Sequence, residues 1–243
     1  MNLQGIMELE AKFNRLFGSK PIIGMIHLAG DNKEEKIQRA LEELSIYEQE
    51  GVDGAIIEDY YGPAEYIYET LKEAQKQNYK IILGVNNLRN PYAGFYSKNL
   101  GAKFVQFDSV QSNHLDIQVY EDMKKQNPEM AILGGIRFKY TTSSENSLEK
   151  DLEDGMSRCD AIVTTGEGTG IETPTEKLRI FKSYLRNFPL IVGAGLNTKN
   201  ASEQLQIADG AIVGSSFKPA KNIRLPVDKY LVRELMDIVK EIR

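Results

Sequence analysis

The chain has 243 residues, 41% of them hydrophobic and 27% charged, with one cysteine and no tryptophan. That length suits one large domain or two small ones and is ample for a sizeable core. Thirty Lys and Arg against 35 Asp and Glu give a formal charge of −5, and without a basic block this balance argues against a nucleic-acid partner.

The opening MNLQGIMELEAKFNRLFG lacks the basic start and apolar stretch of a secretion signal. Its Leu3, Ile6, Met7, Leu9, Phe13 and Leu16 instead fall at helical spacing and predict a short helix packed over one end of the domain. The apolar run PIIGMIHL follows from Pro21. Gly24 and His27 interrupt it, and it is far too short to form a transmembrane segment. Seven further apolar, β-branched runs come after it: DGAIIED from Asp53, KIILGVNN from Lys80, AKFVQFDS from Ala102, MAILGGIRFKY from Met130, DAIVTTG from Asp160, LIVGAG from Leu190 and DGAIVGSS from Asp209. Hydrophobicity that is nearly continuous over four to six residues is the pattern of strands buried on both faces.

Charged stretches with a 3.6-residue apolar period separate these strands. Ile37, Ala40, Leu41, Leu44 and Tyr47 make one stripe; Leu178, Phe181, Leu185 and Phe188 make another. The second opens on Thr173, Pro174 and Glu176, which read as an N-cap, a proline at the first helical position and a capping-box glutamate. Val227, Tyr230, Leu231, Leu235, Ile238 and Ile242 mark the closing helix. Cys159, ahead of the sixth strand, excludes an internal disulfide and fits a reducing, cytoplasmic setting.

Eight strand-then-helix units predict an α/β fold, the (β/α)8 TIM barrel, as a single domain over residues 1–243 with a short N-terminal helix. An open doubly wound sheet also alternates strand and helix, but the first strand lacks the G-x-G-x-x-G turn of a dinucleotide fold.

A barrel places its active site at the C-terminal strand ends. The polar residues there are His27, Glu58-Asp59, Asn86-Asn87 with Arg89, Gln106 and Asp108, Arg137 and Lys139, and Thr164-Thr165. Period-2 geometry puts Gln106 with Asp108 on one face and Arg137 with Lys139 on one face. It also allows only one of Glu58 and Asp59 to face the axis. Glu58, Asp108, Lys139 and His27 are the catalytic candidates; Asn86, Arg89, Arg137 and Thr165 are the substrate-binding candidates. For Lys139, neutralising a substrate anion is favoured over a Schiff-base role.

The last two strands end in Gly193-Ala194-Gly195 and Gly214-Ser215-Ser216. Barrels commonly hold phosphate at these loops, where glycine lets backbone N–H groups approach the anion and a serine hydroxyl adds a donor. Gly193, Gly195, Gly214, Ser215 and Ser216 are therefore the phosphate candidates, and a small phosphorylated metabolite is the expected partner. No His/Cys/Asp cluster has zinc spacing, so no metal ligand is assigned. The sequence names no cofactor and is compatible with a homo-oligomer.

FNRLFGSKPIIGMIHL, GVDGAIIEDYYG, GVNNLRNPYA, DAIVTTGEGTG, VGAGLNTKN and DGAIVGSSFK with the later PVD resemble the BtpA family, which takes in the SgcQ proteins. The most specific piece is GVN-x-LRN, Gly84 to Asn90. The resemblance implies a barrel similar to ribulose-phosphate-binding ones, and it carries Met25, His27, Glu58, Asn86, Arg89, Asn90, Thr169, Gly170, Gly193, Gly195, Gly214 and Ser216 over as matching positions. Three departures fall at the strand ends: the short Ala29-Gly30-Asp31 after His27, Gln106 and Asp108 for an arginine and asparagine, and Arg137 and Tyr140 around Lys139 in place of two histidines. Two functions follow. One is an isomerase- or lyase-type enzyme acting by acid/base chemistry on a small phosphorylated, sugar-like metabolite. The other is a non-catalytic assembly factor, in line with the family's namesake role in photosystem I biogenesis.

Overall fold

Strands buried along their whole length must hide both faces and both edges, and closing into a ring does so. The computed structural model, which describes residues 12–243, shows that closure. Strands β1 (Ile22–Ile26), β2 (Gly54–Glu58), β3 (Ile82–Asn86), β4 (Phe104–Phe107), β5 (Ala131–Gly135), β6 (Ala161–Thr164), β7 (Leu190–Val192) and β8 (Gly210–Val213) are parallel and paired in chain order. β8 returns to β1 with Ala211 beside Ile22, so the expected (β/α)8 barrel is formed.

Helix α1, described over residues 12–16, precedes the barrel. The outer ring holds α2 (Lys33–Gln49), α3 (Glu65–Lys76), α4 (Ile117–Gln126), α5 (Leu148–Arg158), α6 (Thr175–Leu185), α7 (Ala201–Ile207) and α8 (Lys229–Ile242). The third connection departs from the expected helix: Pro91–Leu100 is 3₁₀ throughout. Its Gly94 lies so close to β4 that a Cβ there would stand 3.2 Å from Val105 Cγ1. No described helix is long and apolar enough to cross a membrane.

Alternation along the strands builds two cores. Ile23, Ile56, Phe104, Leu133, Val163, Ile191 and Ile212 fill the barrel interior, while Ile22, Ile57, Val85, Val105, Ile162 and Leu190 face the helices. Phe13 and Phe17 join the interior group, with the Phe17 ring 5.4 Å from that of Phe104. The N-terminal helix thus plugs one end of the barrel; Leu3, Ile6, Met7 and Leu9 of the expected stripe lie outside the described residues. Thr173 does not cap α6. The helix starts one residue past Pro174, and the Thr173 hydroxyl donates to Ala194 O at 3.0 Å, tying the loops after β6 and β7 together.

One buried ion pair that the sequence analysis missed holds the segment after β8. Lys218 Nζ reaches Glu43 Oε1 on α2 at 2.7 Å and Leu225 O at 3.0 Å, and the Val227 N–H donates to the same Glu43 oxygen. Both side chains are buried, so neither charge has water as a substitute partner. Lys218→Met is expected to lower unfolding free energy by about 3–5 kcal/mol in urea titrations. The double variant Lys218→Met/Glu43→Met, which leaves no orphaned carboxylate, is expected to lose less.

Candidate active site

At the C-terminal strand ends the inward register brings Glu58, Asn86 and Gln106 together from three adjacent strands, with Asp108 just beyond β4. Asn86 Nδ2 donates to Glu58 Oε1 and to Asp108 Oδ1, each at 2.9 Å. Gln106 Nε2 donates to the same Asp108 oxygen at 3.0 Å. One amide therefore joins two carboxyl groups. Burial, and then the Asp108 charge, push the Glu58 carboxyl up to about 8, so it keeps its proton at neutral pH. As expected, Asp59 points the other way, where it accepts from the Leu88 N–H at 2.7 Å and pairs with Arg89 at 3.0 Å.

Glu58, Gln106 and Asp108, together with Lys139, His27 and the glycines of the late loops, line a cleft of about 120 Å³ floored by Met25 and Ile212. Lys139 Nζ stands 4.8 Å from the centroid of the Phe138 ring, and no carboxylate among the described residues forms an ion pair with it. His27 is buried, and that burial, followed by the charges of Lys218, Lys139 and Arg39, pulls the imidazole down to about 3. It is a neutral ring at physiological pH, which limits the proton-carrying role expected of it to one donated and one accepted hydrogen bond.

Four expected binding residues are used by the scaffold instead. Arg137 does not share a strand face with Lys139: β5 stops at Gly135, and a left-handed turn at Arg137 (φ 50°) swings the guanidinium outward. There it pairs with the buried Asp151 at 2.8 Å, an acceptor also held by Gln111 and Ser144. Arg89 Nη1 is occupied by Asp59 and by Gly62 O at 2.7 Å. Thr165 Oγ1 accepts from the Lys139 N–H at 2.6 Å and donates to Gly166 O, so it positions the lysine's backbone. Both Asn86 Nδ2 protons go to carboxyl groups, which makes it a positioning residue.

The phosphate candidates divide as well. Gly193, Gly195, Gly214 and Ser215 line the cleft, whereas the Ser216 hydroxyl turns away to Leu196 O at 2.6 Å. The Gly193 N–H is given to Thr164 O. At Gly195 (φ 77°) a Cβ would fall 2.4 Å from Glu172 Cα, so close approach of the chain itself demands glycine there. Ser215–Phe217 is a 3₁₀ turn beginning at the rim, and the first N–H groups of such a turn have no acceptor within it.

The cleft also contains residues to which the strand-end reading gave no role: Tyr60, Leu88, Phe138 and Tyr140. Thr169 and Gly170, matched through the resemblance, line it too. Lys177, on the first turn of α6, donates to Arg137 O and Thr165 O beneath the rim, and burial lowers it to about 8. Nothing in its spacing signals that position. Among the described residues no three His, Cys, Asp or Glu side chains gather where they could hold a metal ion.

The BtpA family model matches residues 18–241. An uncharacterized protein of Methanocaldococcus jannaschii is 27% identical, over 94% of this chain and 98% of its own length. The photosystem I biogenesis protein BtpA of Synechocystis is 26% identical, over 91% and 88% respectively. Among solved structures, N-(5'-phosphoribosyl)anthranilate isomerase from Pyrococcus furiosus superposes with a TM-score of 0.62 at 20% identity, covering 91% of this chain and 99% of that one.

The Glu58 carboxyl titrates near 4.5 when unperturbed and at about 8 in the fold. The folded state therefore keeps a proton that the unfolded chain releases. This group leaves stability unchanged below pH 4.5 and reduces it progressively as pH rises toward 8. Glu58→Gln is neutral at every pH. Its Tm relative to the parent protein is expected to increase between about pH 5 and about pH 9 in thermal denaturation.

Proposed function

The chain belongs to the BtpA family, and from that premise we propose that it is an enzyme of the isomerase or lyase type acting on a small phosphorylated, sugar-like metabolite. The observation that carries this reading is the Glu58–Asn86–Asp108 linkage. A protonated carboxyl and a charged one, held by a single amide on the wall of a cleft, are suited to opposite halves of a proton transfer. Asp108 removes a proton from the carbon beside a carbonyl, Glu58 donates its own to the oxygen on which charge develops, and the Lys139 ammonium steadies that charge. His27 contributes a neutral hydrogen bond.

The phosphate is placed at Gly214 and Ser215, with Gly193 and Gly195 opposite. The start of the Ser215–Phe217 turn, whose first N–H groups have no acceptor within the turn, and the nearby Lys139 support this placement. Arg89, Arg137 and Ser216 are left out of the site because each is committed elsewhere. A similarly folded enzyme carries a phosphoribosyl substrate in its name, which accords with the reading. The sole thiol, Cys159, is buried and pushed up to about 12 by that burial, so it takes no part in the proposed chemistry.

Incubation with ribose 5-phosphate and other sugar phosphates in deuterium oxide, followed by NMR, tests the chemistry. Exchange of a proton next to the carbonyl is expected, falling by about 10² or more in Glu58→Gln and in Asp108→Asn. Absence of exchange with every sugar phosphate would overturn the enzyme reading in favour of a non-catalytic biogenesis factor. For the anion, Ser215→Asp is expected to abolish the rise in Tm that inorganic phosphate produces in the parent protein.

A further inference from the structure

The cleft's mouth has a chemistry that a phosphate and a short polyol leave unused. Tyr60, Leu88, Tyr140 and Ile171 are 38%, 40%, 75% and 55% exposed, and they come from four different loops, those after β2, β3, β5 and β6. Tyr60, Leu88 and Tyr140 line the cleft directly. Ile171 continues the rim at Gly168, where a Cβ would stand 3.2 Å from Ile171 Cγ1 and 3.3 Å from Tyr140 Oη. Single apolar residues on a surface need no explanation, but a contiguous set around a charged well does.

Tyr140 is held in place there. Its backbone takes a left-handed conformation (φ 62°), unusual for a bulky residue, and its hydroxyl accepts the Thr169 N–H at 2.9 Å across the mouth. The Tyr60 hydroxyl bears on the same Thr169 side chain, and its ring stands edge-on to His27 at 5.6 Å. Two aromatic rings are thus fixed before any ligand arrives, so stacking on them costs little conformational entropy.

The well itself is small. Its 120 Å³ compares with about 300–1,000 Å³ for sites that enclose a drug-sized ligand. A phosphate at Ser215 and a reacting carbon at Glu58 already use that space, and whatever else the ligand carries must lie on the rim. We propose that the natural ligand bears a planar apolar group, aromatic or conjugated, beyond its phosphorylated portion, and that this group stacks on the collar of Tyr60, Leu88, Tyr140 and Ile171. The inference rests on the phosphate-binding reading above and names the substrate class that reading leaves open.

Calorimetric titration with inorganic phosphate, ribose 5-phosphate and 1-naphthyl phosphate tests it. 1-Naphthyl phosphate is expected to bind about fivefold to tenfold more tightly than ribose 5-phosphate. That advantage is expected to fall about threefold in Tyr140→Ala and in Leu88→Ala, with inorganic phosphate unaffected. Tyr140→Phe, which keeps the ring and loses the tether to Thr169, is expected to fall in between. Equal affinity for the two organic phosphates, or an advantage that survives both alanine variants, overturns the proposal. If no phosphate compound binds, the phosphate reading has failed by itself, and 1-naphthol decides the collar. Saturable shifts of the Tyr60 and Tyr140 ring signals uphold it, and their absence overturns it.

Discussion

A β-strand presents successive side chains to opposite faces, and in a closed barrel only one of those faces looks inward. Nearly everything in this molecule follows from that rule applied to eight parallel strands. Ile56 and Glu58 of β2 face the axis while Ile57 and Asp59 face the helices; Gly84 and Asn86 of β3 do the same against Val85 and Asn87. Because the strands pair in register, with Glu58 beside Asn86, the inward polar tips form a continuous layer above the apolar filling. The amide bridge between Glu58 and Asp108 is a product of that register. A slip of one residue in β3 would bring Asn87 inward and break it.

The rim above this layer is made of loops, and loops need anchors. Three of them are fastened by ion pairs that reach away from the cleft: Arg89 to Asp59, Arg137 to Asp151, and Lys218 to Glu43. Each places a buried carboxylate beneath a loop and spends a cation on holding it. The electrostatic consequence reaches the cleft. With those cations committed, Lys139 is the positive charge that faces the carboxyl pair, and the charges of Lys218 and Lys139 help to keep His27 neutral. Stability and the electrostatics of the cleft therefore draw on the same set of charged residues, divided by the direction in which each side chain turns.

Burial acts on the two titratable tips in opposite senses. It disfavours the charged form of both, so the Glu58 acid keeps its proton and the His27 base gives its proton up. The cleft then holds a neutral acid and a neutral imidazole, and the Asn86 amide fixes the first of them relative to Asp108. Tyr60 and Tyr140 stand at the open side of this group, on the cleft's mouth.

The strands, their number and their closure were all readable from eight apolar runs, because continuous burial imposes a composition that survives without knowledge of neighbours. So was the rule that only one of Glu58 and Asp59 can face the axis, since alternation is a local property; which of the two it is depends on the phase of β2 in the closed barrel. What sequence could not convey was where alternation ends. Arg137 lies in phase with the inward face of β5, and only the positive φ that follows Gly135 and Ile136 turns it toward Asp151, a partner 14 residues ahead on α5. Thr173 has the chemistry of a cap, but Ala194 O competes for its hydroxyl from the next loop. Tyr140 and Lys218 likewise take their places through Thr169 and Glu43, residues remote in the chain. Periodicity is written in neighbouring residues, so sequence alone determined the scaffold and its polar layer. Partners at long range are chosen by loop conformation and competing acceptors, and only the tertiary structure decided those.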